Sequence, residues 1–306
     1  MAAGRGLIIF PGALGDLICL LPAIRTLGGR YPEIEFELMA RAELARFAIG
    51  RMRVVAGHSI DRREIALLFA EGGGASNLAR KFFCQFERID CFFASDNGRF
   101  RAALRQAARG ELYFYPFRPP GRRHVAECYL HAIGAGISPP LGGSIDLLPD
   151  DMRDAQQRLR VMGLEPGRFV LVLPGSGSAK KNWPAEHFAL LAERTQLVHH
   201  VLVVLGPAET GMAAGFHVQS LSVASDLELG QLAAIARLAR CFIGNDSGVS
   251  HLAAAAGARG LVIFGPSDPE RWRPLGDVKI IQKEPLGSLL PEQVWPAVAE
   301  LIKADC

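Results

Sequence analysis

Short runs of Val, Ile, Leu and Phe recur along the chain, separated by stretches in which apolar residues return every three or four positions. This is the rhythm of βαβ units feeding a parallel sheet. In the first half the runs predict strands at Leu7–Phe10, Glu35–Met39, Ile65–Phe69, Asp90–Phe93 and Leu112–Tyr115. In the second half they predict Phe169–Leu173, Val201–Leu205, Cys241–Ile243, Leu261–Phe264 and Lys279–Ile281, and these are apolar almost throughout, as strands covered on both faces are. Between the halves, residues 138–151 hold three prolines, paired glycines and several acids, which reads as a linker. The expected domains are 1–145 and 146–306, the second opening with a helix over 151–162. Val294, Trp295, Val298, Leu301 and Ile302 fall at helical spacing in 291–303, a final helix that needs a surface to cover.

Composition narrows the function class more than it names it. At 306 residues, 49% hydrophobic and 21% charged, the chain has room for two globular domains of about 150 residues. A net charge of +3, with no run of Lys or Arg along one predicted helix, argues against a nucleic-acid partner. The six cysteines lie far apart without a C-x-x-C pair, so neither a disulfide framework nor a zinc knuckle is expected, and a reducing cytosol fits. No stretch reaches the roughly 18 apolar residues of a membrane span, so any membrane contact is expected to be peripheral. Arg5 followed by Leu7–Phe10 and Leu17–Leu21 imitates a signal peptide, but Asp16 and the breaks at Pro11, Gly12 and Gly15 read as a strand-to-helix turn.

In open α/β sheets ligands gather beyond the carboxyl ends of the strands, so four strand exits carry the candidate chemistry. The first is Phe10-Pro-Gly-Ala-Leu-Gly-Asp16. Its carboxylate would repel a pyrophosphate; it can take a proton from a hydroxyl, or simply favour the helix start. The second is Pro174-Gly-Ser-Gly-Ser-Ala-Lys-Lys-Asn-Trp-Pro184, whose glycines, hydroxyls and lysines suit a diphosphate cradle or a solvated turn over Trp183. It lacks the order of a P-loop. The third, Gly244-Asn-Asp-Ser-Gly-Val-Ser-His251, would aim amides near Ser247 and Gly248 above the sheet, although Asp246 could be only a helix cap and His251 a satisfied core histidine. The fourth, Gly206-Pro-Ala-Glu209, offers either a ribose-diol acceptor or a solvated surface acid. No Asp-X-Asp follows a strand; the nearest acids, Asp226 and Glu228, fall in a helix-like segment, and no metal is expected.

Taken together and in order, these segments resemble glycosyltransferase family nine, the ADP-heptose:lipopolysaccharide heptosyltransferases. Gly15-Asp16, Leu21-Pro-Ala-Ile-Arg25, Pro174-Gly-Ser-Gly, Lys181-Asn-Trp-Pro184, Asp246-Ser-Gly-Val-Ser-His251 and Phe264-Gly-Pro-Ser-Asp-Pro269 carry the likeness over most of the chain. The resemblance implies an α/β protein of GT-B architecture, two Rossmann-like domains with parallel sheets facing across a cleft, the last helix returning toward the N-terminal domain. It implies an inverting, metal-independent transfer of a heptose from an ADP-sugar, as co-substrate rather than cofactor, to a lipopolysaccharide-core or other glycan acceptor at the cytoplasmic face. By the same likeness Asp16 is the catalytic base. Ser176, Gly177 and Lys181 meet the donor phosphates, Glu209 the ribose, and Asp246, Ser247, Gly248 and His251 complete the donor site. The guanidinium forks of Arg62, Arg63, Arg118, Arg122 and Arg123 suit carboxylates or phosphates of an acceptor, with a solvated surface arginine the alternative at each position, and Gly15 is a further acceptor contact. The Phe10-Pro11 exit departs from relatives that carry a basic residue there. A nucleotide-sugar 2-epimerase of the same architecture and a non-catalytic nucleotide-sugar binder are the alternatives; a nicotinamide dehydrogenase lacks its G-x-G-x-x-G.

Overall fold

The computed structural model describes residues 3–136, 141, 143–206, 209, 216 and 221–303. The chain forms two compact units, Met1–Gly142 and Gly143–Cys306. Of the expected linker, residues 138–140 and 142 lie outside the described residues, as do Pro207, Ala208 and Cys306. The second unit already includes the stretch after Gly143, because the Ile145 amide donates to the Ala255 carbonyl at 2.9 Å.

The first unit is built on a parallel sheet of β1 (Gly4–Ile9), β2 (Ile34–Ala40), β3 (Ala56–Ser59), β4 (Arg88–Cys91) and β5 (Glu111–Phe114). Their order is β3-β2-β1-β4-β5, so the winding reverses between β1 and β4. Leu7, Ile9 and Ile89 bury one face against Phe83, Phe86, Phe100 and Leu104. On the other side Phe10 is fully buried, edge-to-face with Phe92, Phe117 and Tyr129.

The second unit carries β6 (Phe169–Leu173), β7 (His200–Val204), β8 (Ser222–Ala224), β9 (Cys241–Asn245), β10 (Gly260–Phe264) and β11 (Val278–Gln282). All pairings are parallel, in the order β11-β10-β9-β6-β7-β8, with the reversal between β6 and β9. The central strands β6, β9 and β10 are buried at every position, as suits sequences that are apolar apart from glycine and the terminal Asn245.

Two sequence expectations need correction. Residues 65–69 do not form a strand: they lie in and just after the short helix Arg63–Leu67, where Ile65 and Leu68 turn inward at a spacing of three. The strand of that region is Ala56–Ser59, half-buried throughout, an edge strand without an apolar run to betray it. Asp226 and Glu228 are not helical either: Asp226 has φ 56° and Glu228 stands ahead of the helix Leu229–Leu238. The final helix, Pro291–Lys303, places Val294, Val298, Leu301 and Ile302 in the second unit's own core with Trp183, Phe188 and Ile263. Its apolar stripe is thus covered within the second unit.

Candidate functional site

At the β1 exit, Gly12 brings the chain so close to its own start that a Cβ there would collide with the Phe10 ring and the Asp16 side chain. The helix Leu14–Arg30 follows, and Oδ2 of the half-buried Asp16 accepts the Ala13 N–H at 3.2 Å. The carboxylate therefore closes a capping turn, where the helix dipole favours it, while staying partly open to solvent. Gly15 is half-buried beside it. Phe10 is core, which leaves Asp16 as the one polar side chain of that exit segment.

In the second unit the candidate residues flank the β6/β9 reversal, where a doubly wound sheet leaves its crevice. Ser176 folds the loop after β6 on itself: its Oγ donates to the Ser178 carbonyl at 2.8 Å and accepts the Ser178 amide at 3.2 Å. Gly177 is exposed, with open space where a Cβ would stand. Lys181 ends a short 3-10 turn, Ala179–Lys181, and its Nζ lies 2.6 Å from Asp246 Oδ2. Asp246 thus pairs with a loop cation and is not the cap. The cap of the helix Gly248–Ala255 is Ser247, whose Oγ accepts the Ser250 amide at 3.3 Å. His251, one turn along, is buried, and its amide donates to the Ser247 carbonyl at 3.2 Å.

Glu209 is not a solvated surface acid. It is buried, Oε2 accepts the Gly206 amide at 3.0 Å, and side chains at Gly175 or Gly206 would strike its carboxyl group. Two glycines at neighbouring strand exits thus make room for one carboxylate, which joins the β7 exit to the loop after β6.

Sequence reasoning passed over Asn245. Its Nδ2 donates to the Pro174 carbonyl at 2.7 Å and its Oδ1 accepts the Trp183 amide at 3.0 Å. The available signal was a carboxamide ending a strand that is otherwise apolar.

The arginines do not assemble into one patch. Arg62 and Arg63 start the helix after β3, while Arg118 and Arg122 follow β5, and β3 and β5 are opposite edges of the sheet. The Arg62 fork is already engaged by Glu64, at 3.1 and 2.6 Å, and by His58 Nδ1 at 3.0 Å. Arg63 is exposed, and Arg118 lies over the Phe117 ring at 5.2 Å. Arg122 and Arg123 rim an open groove of about 740 Å³ floored by Phe114, Tyr115 and Cys128. Among the described residues, no three His, Cys, Asp or Glu side chains are grouped as metal ligands, and no helix is long and apolar enough to cross a membrane.

This fold is shared with solved structures over nearly the whole chain. The glycosyl transferase family 9 structure from Veillonella parvula DSM 2008 matches with a TM-score of 0.79 at 20% identity, covering 99% of this chain and 98% of that one. The E. coli ADP-heptose lps heptosyltransferase II matches at 0.74 and 19% identity, covering 97% and 98%. With the two Rossmann-like units, these likenesses give the chain the GT-B architecture. The family model of glycosyltransferase family 9 (heptosyltransferase) matches residues 98–289, and the chain belongs to that family. It is a glycosyltransferase by family, and it is 29% identical over 310 residues to Lipopolysaccharide heptosyltransferase 2 of Escherichia coli (strain K12), covering 88% of this chain and 85% of the relative.

Proposed function

We propose that this chain transfers a heptose from ADP-heptose to a lipopolysaccharide-core acceptor, with inversion at the anomeric carbon and without a metal ion. Residues 1–145 take the acceptor and 146–306 the donor, on the cytoplasmic side with peripheral membrane contact. The observation that carries this reading is Lys181 held beside the start of the helix Gly248–Ala255, at the sheet reversal. An ammonium group and a helix N-terminus beside one strand exit suit a diphosphate, and only one of the three Lys181 donors is taken by Asp246. Ser176 and Gly177 lend an adaptable loop, Glu209 suits the ribose hydroxyls, and Asp246 and His251 suit the sugar end of the donor. Arg63, Arg118 and Arg122 fit the acidic groups of the acceptor.

In this mechanism Asp16 accepts the proton of the acceptor hydroxyl as its oxygen bonds to the anomeric carbon. The bond to the diphosphate breaks on the opposite side, and ADP leaves with the electron pair, its growing charge met by Lys181 and the helix amides. The half-open Asp16 carboxylate supports the base role, since a fully enclosed cap could not reach a substrate.

The test is ADP release from ADP-heptose with and without a lipid-linked core acceptor. Release is expected only with acceptor, with a product of inverted anomeric configuration and an unchanged rate in EDTA. An epimerised donor in the absence of acceptor would overturn the transferase reading. Asp16→Ala is expected to keep donor binding while turnover falls by at least about 100-fold; full turnover in that variant would remove Asp16 from the base role.

A further inference from the structure

We propose that Asn245 is a positioning residue for the donor, holding both roots of the loop that cradles the diphosphate; this rests on the reading of the 174–183 loop as that cradle. The Asn245 side chain is wholly buried at the end of β9. It faces the first residue after β6, Pro174, and the residue at the far end of the loop, Trp183, and bonds the backbone of each. The orientation of the carboxamide is dictated by its partners, because a peptide carbonyl can only accept and a peptide N–H can only donate. An apolar side chain would leave both groups without these partners in the interior, and an ionised acid would serve only one of them.

Between its roots, residues 177–180 have little else to hold them. Gly177, Ser178, Ala179 and Lys180 are exposed, and the side-chain bonds of Ser176 stay within the loop. Trp183 is fixed a second time through its ring, Nε1 donating to the Leu289 carbonyl at 2.8 Å, which anchors only the far root. Asn245 is also joined to the other half of the cradle: its carbonyl accepts Ser250 Oγ at 2.7 Å, and Ser250 in turn bonds the cap residue Ser247. The next residue, Asp246, holds the loop's cation. Two consecutive residues on one strand end therefore set the loop backbone and its charge against a single helix N-terminus.

Asn245→Asp separates positioning from simple packing. The variant has nearly the same shape and keeps an acceptor for the Trp183 amide, but an ionised carboxylate repels the Pro174 carbonyl, whereas a protonated carboxyl can donate to it. Burial raises a carboxyl pKa, so both forms can be sampled between about pH 5 and pH 9. Calorimetry with ADP on parent and variant across that range gives a ratio of dissociation constants from which the titration of ADP itself cancels. The ratio is expected to be about tenfold at the alkaline end and to fall toward one at the acid end. A ratio that does not change with pH overturns the proposal. A parent that binds no ADP would instead overturn the cradle reading. Amide exchange in the parent gives an arm that needs no variant: the Trp183 amide is expected to exchange as slowly as the β9 amides, and exchange as fast as that of Gly177–Lys180 overturns the clamp.

Discussion

Arg88 Nε meets Asp90 Oδ2 at 2.6 Å in the first unit, and Lys181 Nζ meets Asp246 Oδ2 at 2.6 Å in the second, yet the two pairs are built for different ends. The side chains of Arg88 and Asp90 are 3% and 0% exposed. A second bond of 2.8 Å makes the pair bidentate, Tyr115 Oη donates to Asp90 at 2.9 Å, and the guanidinium stands 4.3 and 4.0 Å from the Tyr31 and Tyr113 ring centroids. Burial by itself would lower the Arg88 pKa, but its bonds to Asp90 override this and leave it raised. Burial, reinforced by Asp90, also pushes the Tyr115 phenol up. Lys181 is 36% exposed and contributes one contact. A charge enclosed in the interior and clasped by a buried carboxylate serves the fold, whereas a point charge with access to water can take a ligand.

The sharpest way to break this contrast is to remove one member of each pair. Asp90→Ala strands a buried guanidinium, and denaturant unfolding is expected to show a loss of about 3–5 kcal/mol. Replacing Arg88 and Asp90 together by apolar residues of similar volume should cost far less, because the penalty belongs to the unpaired charge. A loss under about 1 kcal/mol for Asp90→Ala would place this pair in the class of surface pairs.

Lys181→Ala is expected to act on binding first. The loss of a charged hydrogen bond to phosphate should weaken ADP by about 10- to 100-fold. Its effect on stability should stay below that of Asp90→Ala, since water reaches this position. Equal ADP affinity in mutant and parent would contradict the phosphate role.

Arg5 and Glu37 form an intermediate case, 39% and 5% exposed. Burial pushes the Glu37 carboxyl up, but hydrogen bonds from His58 at 2.6 Å and Arg5 at 2.7 Å more than offset this and hold it below the ordinary value of 4.5. A carboxyl depressed in the folded state adds stability above its unfolded pKa and loses it as pH falls through the folded one. Glu37→Gln should therefore have a shallower acid limb than the parent below about pH 4.5, by roughly 1 kcal/mol or less after solvent screening of Arg5. Coincident limbs would show that Glu37 is not held down by these partners.

The parts of the fold that were legible in the sequence are those whose pattern is local. β6, β10 and the Cys241–Ile243 part of β9 are apolar runs because helices and loops cover both faces, and such runs stand out against polar loops. β3 and β8 are short edge strands that need no such run, and residues 65–69 are apolar in a way that a helix of one turn shares with a strand. Glycines at strand exits marked where a ligand could approach. They did not reveal that Gly175 and Gly206 make room for Glu209, which requires β7 to lie beside β6.

The amino-acid order by itself determined the α/β class, the two halves, the strand exits that hold polar chemistry, and the family likeness, since each rests on periodicity or on residues close together along the chain. Only the tertiary structure decided that Lys181 meets Asp246, that Arg62 is held by Glu64 and His58, and that Asn245 joins Pro174 to Trp183. Pairings between β6, β7 and β9 follow from strand order, and strand order is set by packing of whole faces rather than by any one segment.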